Sequence, residues 1–336
     1  MKTSLLFPRR ISTFGVILAL ALFAACGCKK DSSGDGGTSS GSGSSDYPAG
    51  CPTFASTSSE PVLLRYKCRP DQKVKFGLEM DINMEISPPE GAGMTIETGM
   101  KMEGGYAVTA VESNGDFQAV MTITRAAMKM NMSAGPGKSQ RMSFDSDKDT
   151  GDDTDPAMRP MRAMLNVPIP IRVSAVGKLL ETDTHALLEA LDRVSAGAMA
   201  KEIQQQATKL FESTFVQLSE TPVKAGDTYD AGEIVQALPG MGEMRARIRY
   251  KVLAVSADKK QAVLQPKAEF SLKSTPGGPD KIAVDSTNMD GWLLFDVEKG
   301  NIVRSAGDVK LGMTISDQGE SGRMDMTMKM KFHTSE

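Results

Sequence analysis

The chain has 336 residues, with 39 Lys and Arg against 42 Asp and Glu and a formal charge of −3. That balance excludes the clustered basic surface expected of a nucleic-acid binder. Aromatics make up 5% while methionine occurs 23 times, so the core must rest on Met, Val, Ile and Leu, which fill space adaptably.

Residues 1–25 combine a basic start (Lys2, Arg9, Arg10) with the uncharged run Phe14–Ala25 (FGVILALALFAA). A bilayer-spanning helix needs about 20 apolar residues, so this shorter run reads as the core of a secretory signal peptide. Phe23-Ala24-Ala25-Cys26 resembles the bacterial lipobox, which makes Cys26 the expected lipidated residue. Phe at its first position departs from the usual Leu. Cys28 follows a poorer approach (Ala25-Cys26-Gly27), and an ordinary signal peptide with incidental cysteines is the plainer alternative. Arg9-Arg10 hints at twin-arginine export, but Ser12 stands where that signal prefers a large apolar residue, which favours the general secretory route. The chain is expected in the cell envelope, joined to a membrane by lipid. Gly27 resembles the outer-membrane sorting pattern more than the inner-membrane one.

Residues 26–59 then read as anchor and tether. The tract KKDSSGDGGTSSGSGSSD offers nothing to a core, and a Gly/Ser coil of this length reaches roughly 30 Å on average. In an oxidising compartment Cys51 and Cys68 are candidates for a disulfide pinning the tether to the first strand, worth roughly 3 kcal/mol.

From residue 60 to 336 a single β-rich domain is expected. Period-two alternation marks strands at 64–68, 74–86, 94–102, 105–112, 117–132 and 140–145, with an Asn114-Gly115 turn between two of them. The period then changes. Residues 156–166 and 184–218 carry helical spacing, with Thr182 to Thr184 as cap candidates. The apolar stripe Leu187, Leu191, Val194, Ala198 resumes at Ile203, Leu210, Phe211, Phe215 and Leu218. Between them, residues 169–182 read as a hairpin turning at Ala175-Val176-Gly177-Lys178. Strands return at 228–236, 243–256, 260–273, 281–296, 301–316 and 322–333.

The phrase Tyr106-Ala-Val-Thr-Ala-Val111 with Gln118-Ala119-Val120 is echoed by Tyr250-Lys-Val-Leu-Ala-Val255 with Gln261-Ala262-Val263. Two related β halves, 61–146 and 222–334, would thus flank a helical insert over 155–218. The expected class is α+β, mostly antiparallel β: a curved, half-barrel-like sheet with the insert against its concave face. That architecture resembles the half-barrel of bacterial lipoprotein carriers, a likeness of fold that does not carry function. The phrases Leu64-Arg65-Tyr66-Lys67, Phe144-Asp145-Ser146-Asp147, Pro222-Val223-Lys224-Ala225-Gly226-Asp227-Thr228 and Phe295-Asp296-Val297-Glu298-Lys299-Gly300 with Arg304-Ser305 resemble, in this order, an uncharacterised family of bacterial envelope lipoproteins. The Met-x-Met strands resemble it too. The resemblance implies the class and no site residues.

Chemistry is sparse. Met128, Met130 and Met132, with Met326, Met328 and Met330, place thioethers on one strand face. They are the candidate ligand-binding residues, either as the lining of an apolar cavity for lipids or as soft ligands for Cu(I). The plain alternative is that they are the apolar face of ordinary strands. Asp145, Asp147, Asp149, Asp152, Asp153 and Asp155 suit Ca²⁺ in type, yet Gly151 falls one residue late for a calcium loop and no Glu closes it, so a solvated acidic loop is favoured. No G-x-S-x-G elbow (Gly37-Thr38-Ser39-Ser40-Gly41 lies within the tether tract), H-E-x-x-H or P-loop is present, and a Ser–His pair would need His185, which opens a helix, or His333, at the fraying end of the last strand. Trp292 reads as a packed strand residue. The expected protein is non-enzymatic, of binding or structural type, without metal or cofactor. Its partners would be the membrane and a lipid or envelope protein. A carrier of lipids or lipoproteins is the alternative.

Overall fold

The computed structural model describes residues 47–335 apart from 89–91, 136, 150–157, 195–207, 209–210, 212–213, 239–241, 275–280 and 318–319. Cys26, Cys28 and the signal segment lie outside the described residues, as do Asp152, Asp153, Asp155, Ala198, Ile203 and Leu210.

Alternation along the sequence becomes strand almost everywhere it was expected. The strands are β1 (Lys73–Ser87), β2 (Met94–Val111), β3 (Phe117–Ala134), β4 (Ser139–Asp145), β5 (Ile169–Val173), β6 (Leu179–Thr182), β7 (Thr228–Leu238), β8 (Gly242–Val255), β9 (Gln261–Ser274), β10 (Lys281–Asp296), β11 (Asn301–Asp317) and β12 (Glu320–Ser335). They form one twelve-stranded sheet in the order β6-β5-β3-β2-β1-β12-β11-β10-β9-β8-β7, with β4 beside the far half of β3. Every pairing is antiparallel, so the chain advances by hairpins and the sheet is open and curled. The first and last strands meet in its middle, Lys75 opposite Ser335 through Ser87 opposite Arg323.

Three expectations change. Beside the sheet the helical insert is small among the described residues: α1 (Arg159–Ala163), α2 (His185–Arg193), which buries Leu187 and Leu191, and helical backbone at Thr208, Phe211 and Thr214. The class is therefore mostly antiparallel β rather than α+β. The strands expected at 94–102 and 105–112 are one continuous β2. Its Gly104-Gly105 step is absorbed by a register shift against β3 after Glu103 instead of breaking the strand. Residues 64–68 form no strand, because their backbone is spent elsewhere.

That segment closes one end of the curl. Tyr66 N–H donates to the Ala175 carbonyl (2.8 Å) and Lys67 N–H to the Gly300 carbonyl (3.1 Å). The Tyr66 hydroxyl accepts from Val216 N–H (2.9 Å), and its ring lies against Phe117, Phe215 and Phe295, with Tyr106 stacked on Phe117 beyond. Gly177 (φ +84°) makes the approach possible. A Cβ there would lie 2.3 Å from the Val216 carbonyl oxygen.

The internal echo has a structural counterpart. The β2–β3 hairpin shifts register between Val108 and Ala110, and β8–β9 does so between Val252 and Ala254, the same place in each phrase. The second parts are not equivalent, however. Ala262 pairs with Val255 where Phe117 pairs with Val111, so Gln261-Ala262-Val263 sits two positions nearer its turn than the sequence match implies.

Replacing Tyr66 by Phe keeps the ring cluster but strands the Val216 N–H in a buried site, which costs about 1–3 kcal/mol. Tyr66→Ala should cost about 3–5 kcal/mol. Urea unfolding of the two variants checks both the order and the size.

Candidate functional site

Inward residues of strands from both halves line up across the ladder into apolar rows. One runs Phe144, Met128, Met100, Met80, Met330; the next Met142, Met130, Thr98, Ile82, Met328, Val309; the third Met132, Ile96, Met84, Met326, Leu311. Met128, Met130, Met326, Met328 and Met330 are buried and Met132 half-buried, all on the same core. The structure thus brings the six candidate methionines onto one face, where they pack as the apolar side of strands. An outer-face groove around Gly77 and a small cavity beside Tyr66 are lined by none of them.

This face is closed at one end and soft at the other. Around Tyr66 the aromatic cluster seals it. At the opposite end Ile86, Met94, Met132, Met142 and Ile315 are only half-buried, although Met84, Ile96, Met130, Phe144 and Met313, two residues deeper, are fully buried. The sheet also splits on this side. β9 and β10 pair only from Gln261 opposite Asp296 to Leu264 opposite Leu293. Beyond, β9 stays with β8 and β10 with β11, and the inward side chains Ala268, Phe270 and Leu272 on one lip and Ile282 and Val284 on the other are half-buried. Pro266, which has no N–H to donate, suits a strand that leaves its partner here.

One polar atom interrupts the apolar face. Thr98 is 4% exposed, between Ile82 and Met130 in register, and its hydroxyl has no hydrogen-bond partner among the described residues. The sequence carries a signal for it, since Thr98 breaks the Ile96-x-x-x-Met100 alternation, but a single threonine in a strand draws no notice until its neighbours across the sheet are known.

The opposite face is charged: Glu79 with Lys101 (2.7 Å), Glu103 with Arg125 (3.0 Å), and Asp81 opposite Lys329. A membrane-spanning β-barrel turns an apolar band outward; here the polarity is reversed. No helix among the described residues is long and apolar enough to cross a membrane. On this outer face lies a groove of about 440 Å³, floored by Gly77, Gly105 and Ala107 and flanked by Thr122, Thr124 and His333. The His333 ring leans over Gly77, filling the space a side chain would take there.

Cys51 and Cys68 are free thiols, which corrects the expected disulfide. Residues 47–60 run over the outer face, where Cys51 and Phe54 pack on Val263, Trp292 and Leu294, while Cys68 packs against the inner core. The two cysteines therefore serve different clusters. Trp292 lies under this strap, its indole N–H donating to the Ala49 carbonyl (3.3 Å), with Arg304 5.4 Å from its ring centre. Burial pushes the Cys51 thiol up to about 11, helped by Asp290, and the Cys68 thiol up to about 12.

In the acidic loop, Asp145 pairs with Lys148 (2.9 Å), which holds its carboxyl below the usual range, and Asp147 pairs with Arg125 (2.8 Å). Asp149 accepts from the Asp145 N–H (2.6 Å). These carboxylates already have partners, and no three His, Cys, Asp or Glu converge among the described residues. His185 pairs with Glu189 one turn along α2 (3.2 Å).

No family model and no curated protein matches the chain. Among solved structures, lipovitellin is similar at 14% identity and TM-score 0.34 over 80% of this chain, which spans only 25% of lipovitellin. Pseudomonas aeruginosa OccK7 is similar at 8% identity and TM-score 0.24, over 79% of this chain and 99% of that one. An outer membrane channel of Pseudomonas putida F1 is similar at 6% identity and TM-score 0.22, over 80% and 98%. At these scores the likenesses carry no argument about function.

Both thiols should alkylate slowly in the folded protein. An ordinary thiol near 8.5 is partly ionised at mildly alkaline pH, and raising its pKa to about 11 or 12 removes most of the reactive thiolate. Iodoacetamide labelling at Cys51 and Cys68 should thus be at least roughly hundredfold slower than after unfolding, rising with pH. A disulfide would instead block both even in denaturant.

Proposed function

We propose that this chain is a lipid-anchored, non-enzymatic binding protein of the bacterial cell envelope whose ligand is apolar, taken up against the methionine face. The address rests on the signal segment and Cys26, with the outer membrane favoured by Gly27, and the family resemblance in its short phrases agrees with it. The observation that carries the ligand is the asymmetry of the core. One end is sealed by rigid rings, while the other presents half-buried Met, Ile and Phe along a sheet that has come apart between β9 and β10.

The physical reasons support one another. Unbranched thioether side chains repack at low cost, which suits a surface that must admit ligands of varied shape. The separated lengths of β9 and β10 run about ten residues, or roughly 33 Å at strand rise. One leaflet's hydrocarbon is about half of a 30 Å bilayer core, so an extended acyl chain fits within the split. The Tyr47 hydroxyl donates to the Leu253 carbonyl (3.4 Å) near the sealed end, away from the split.

Native mass spectrometry of the protein taken gently from its own envelope is the direct test. Extra mass that extracts into organic solvent as lipid is the expected result. A clean apo mass, unchanged after incubation with lipid vesicles, would remove the ligand reading and leave a structural or protein-docking module.

A further inference from the structure

Thr98 is the one buried polar residue of the methionine rows, and its hydroxyl has no hydrogen-bond partner among the described residues. Such an atom normally finds a partner, because burying a hydroxyl without one costs about 1–3 kcal/mol. Its neighbours in the row, Met130 and Met142 on one side and Ile82 and Met328 on the other, offer no strong acceptor. Above and below it on β2 stand Ile96 and Met100. The hydroxyl is thus ringed by apolar side chains, many of them flexible enough to move aside.

We propose that Thr98 is the polar anchor of a cryptic site for a neutral acyl ester or amide, the hydroxyl donating to the ligand's carbonyl oxygen while the acyl chain lies along the methionine rows. The proposal rests on the apolar-ligand reading above and narrows its chemical class. A free fatty-acid anion is disfavoured, because no cationic group shares the row and a carboxylate buried among thioethers lacks compensation. A plain hydrocarbon would fill the space yet leave the hydroxyl orphaned. Only a ligand bearing a neutral acceptor satisfies both the apolar walls and the single donor.

The experiment measures displacement of a fluorescent naphthylamine probe from the full chain by methyl dodecanoate, dodecanoate and tetradecane, for wild type, Thr98→Val and Thr98→Ser. Wild type should bind the ester roughly tenfold more tightly than the alkane, the equivalent of one good hydrogen bond. Thr98→Val should lose that preference while unfolding at the same or higher denaturant concentration, and Thr98→Ser should keep it. If Thr98→Val retains the preference, or is less stable than wild type, the hydroxyl serves the fold and the proposal falls alone. If the wild type binds neither the probe nor any competitor, the apolar-ligand reading falls with it.

Discussion

The antiparallel pairing of the first strand with the last is the constraint on which the architecture rests. Without β1 against β12 the chain would be two separate meanders, each with an exposed apolar face and a raw central edge. With it, the two meanders become one sheet. Met80 then stands opposite Met330 and Met84 opposite Met326, and rows that begin in the N-terminal half continue into the C-terminal half. The pairing is also the longest-range strand contact among the described residues. It forms only after nearly all of the chain has been made, and loop-closure entropy opposes it until then.

Once the halves are joined, the ends of the curl are no longer alike. At the end where β2 turns into β3, the segment around Tyr66 is drawn inward, and its backbone bonds to Ala175 and Gly300 fix a ring cluster in place. Aromatic rings have few rotamers and set edge-to-face contacts, so this end is stiff. The other end has no ring cluster among the described residues. Its half-buried inward side chains are Met, Ile, Leu and Val, with Phe270 on the β9 lip, and the sheet parts between β9 and β10. Stiffness at one end and adaptability at the other follow from residue type rather than from any difference in strand geometry.

Much of this was legible in the sequence, because a half-buried strand writes its two faces as alternation. Met324 to Met330 reads out β12 without ambiguity, and residues 281–296 are β10 to the residue. What alternation cannot show is the partner. That β1 lies beside β12, that Cys51 and Cys68 belong to different clusters, and that residues 64–68 serve as a plug rather than a strand all depend on contacts more than a hundred residues apart, or on which side of the sheet a segment crosses. The helical spacing over 184–218 emerges among the described residues as α2 and as helical backbone at Thr208, Phe211 and Thr214. Amphipathic period specifies a buried face, and Leu187, Leu191, Phe211 and Phe215 are all buried.

The repeated hairpin adds a last step. A register shift at the same point of two related phrases bends both β2–β3 and β8–β9, since a bulge increases local twist. In the first copy Phe117 lies opposite Val111 and joins the ring cluster; in the second Ala262 takes that position opposite Val255. A bulky ring at this place in one hairpin and a methyl in the other give them different tasks: one helps to build the seal, while the other passes into the strand that separates from β10 after Leu264. The difference between the two ends of the core thus begins at a single position opposite the register shift of each hairpin, Phe117 in one and Ala262 in the other.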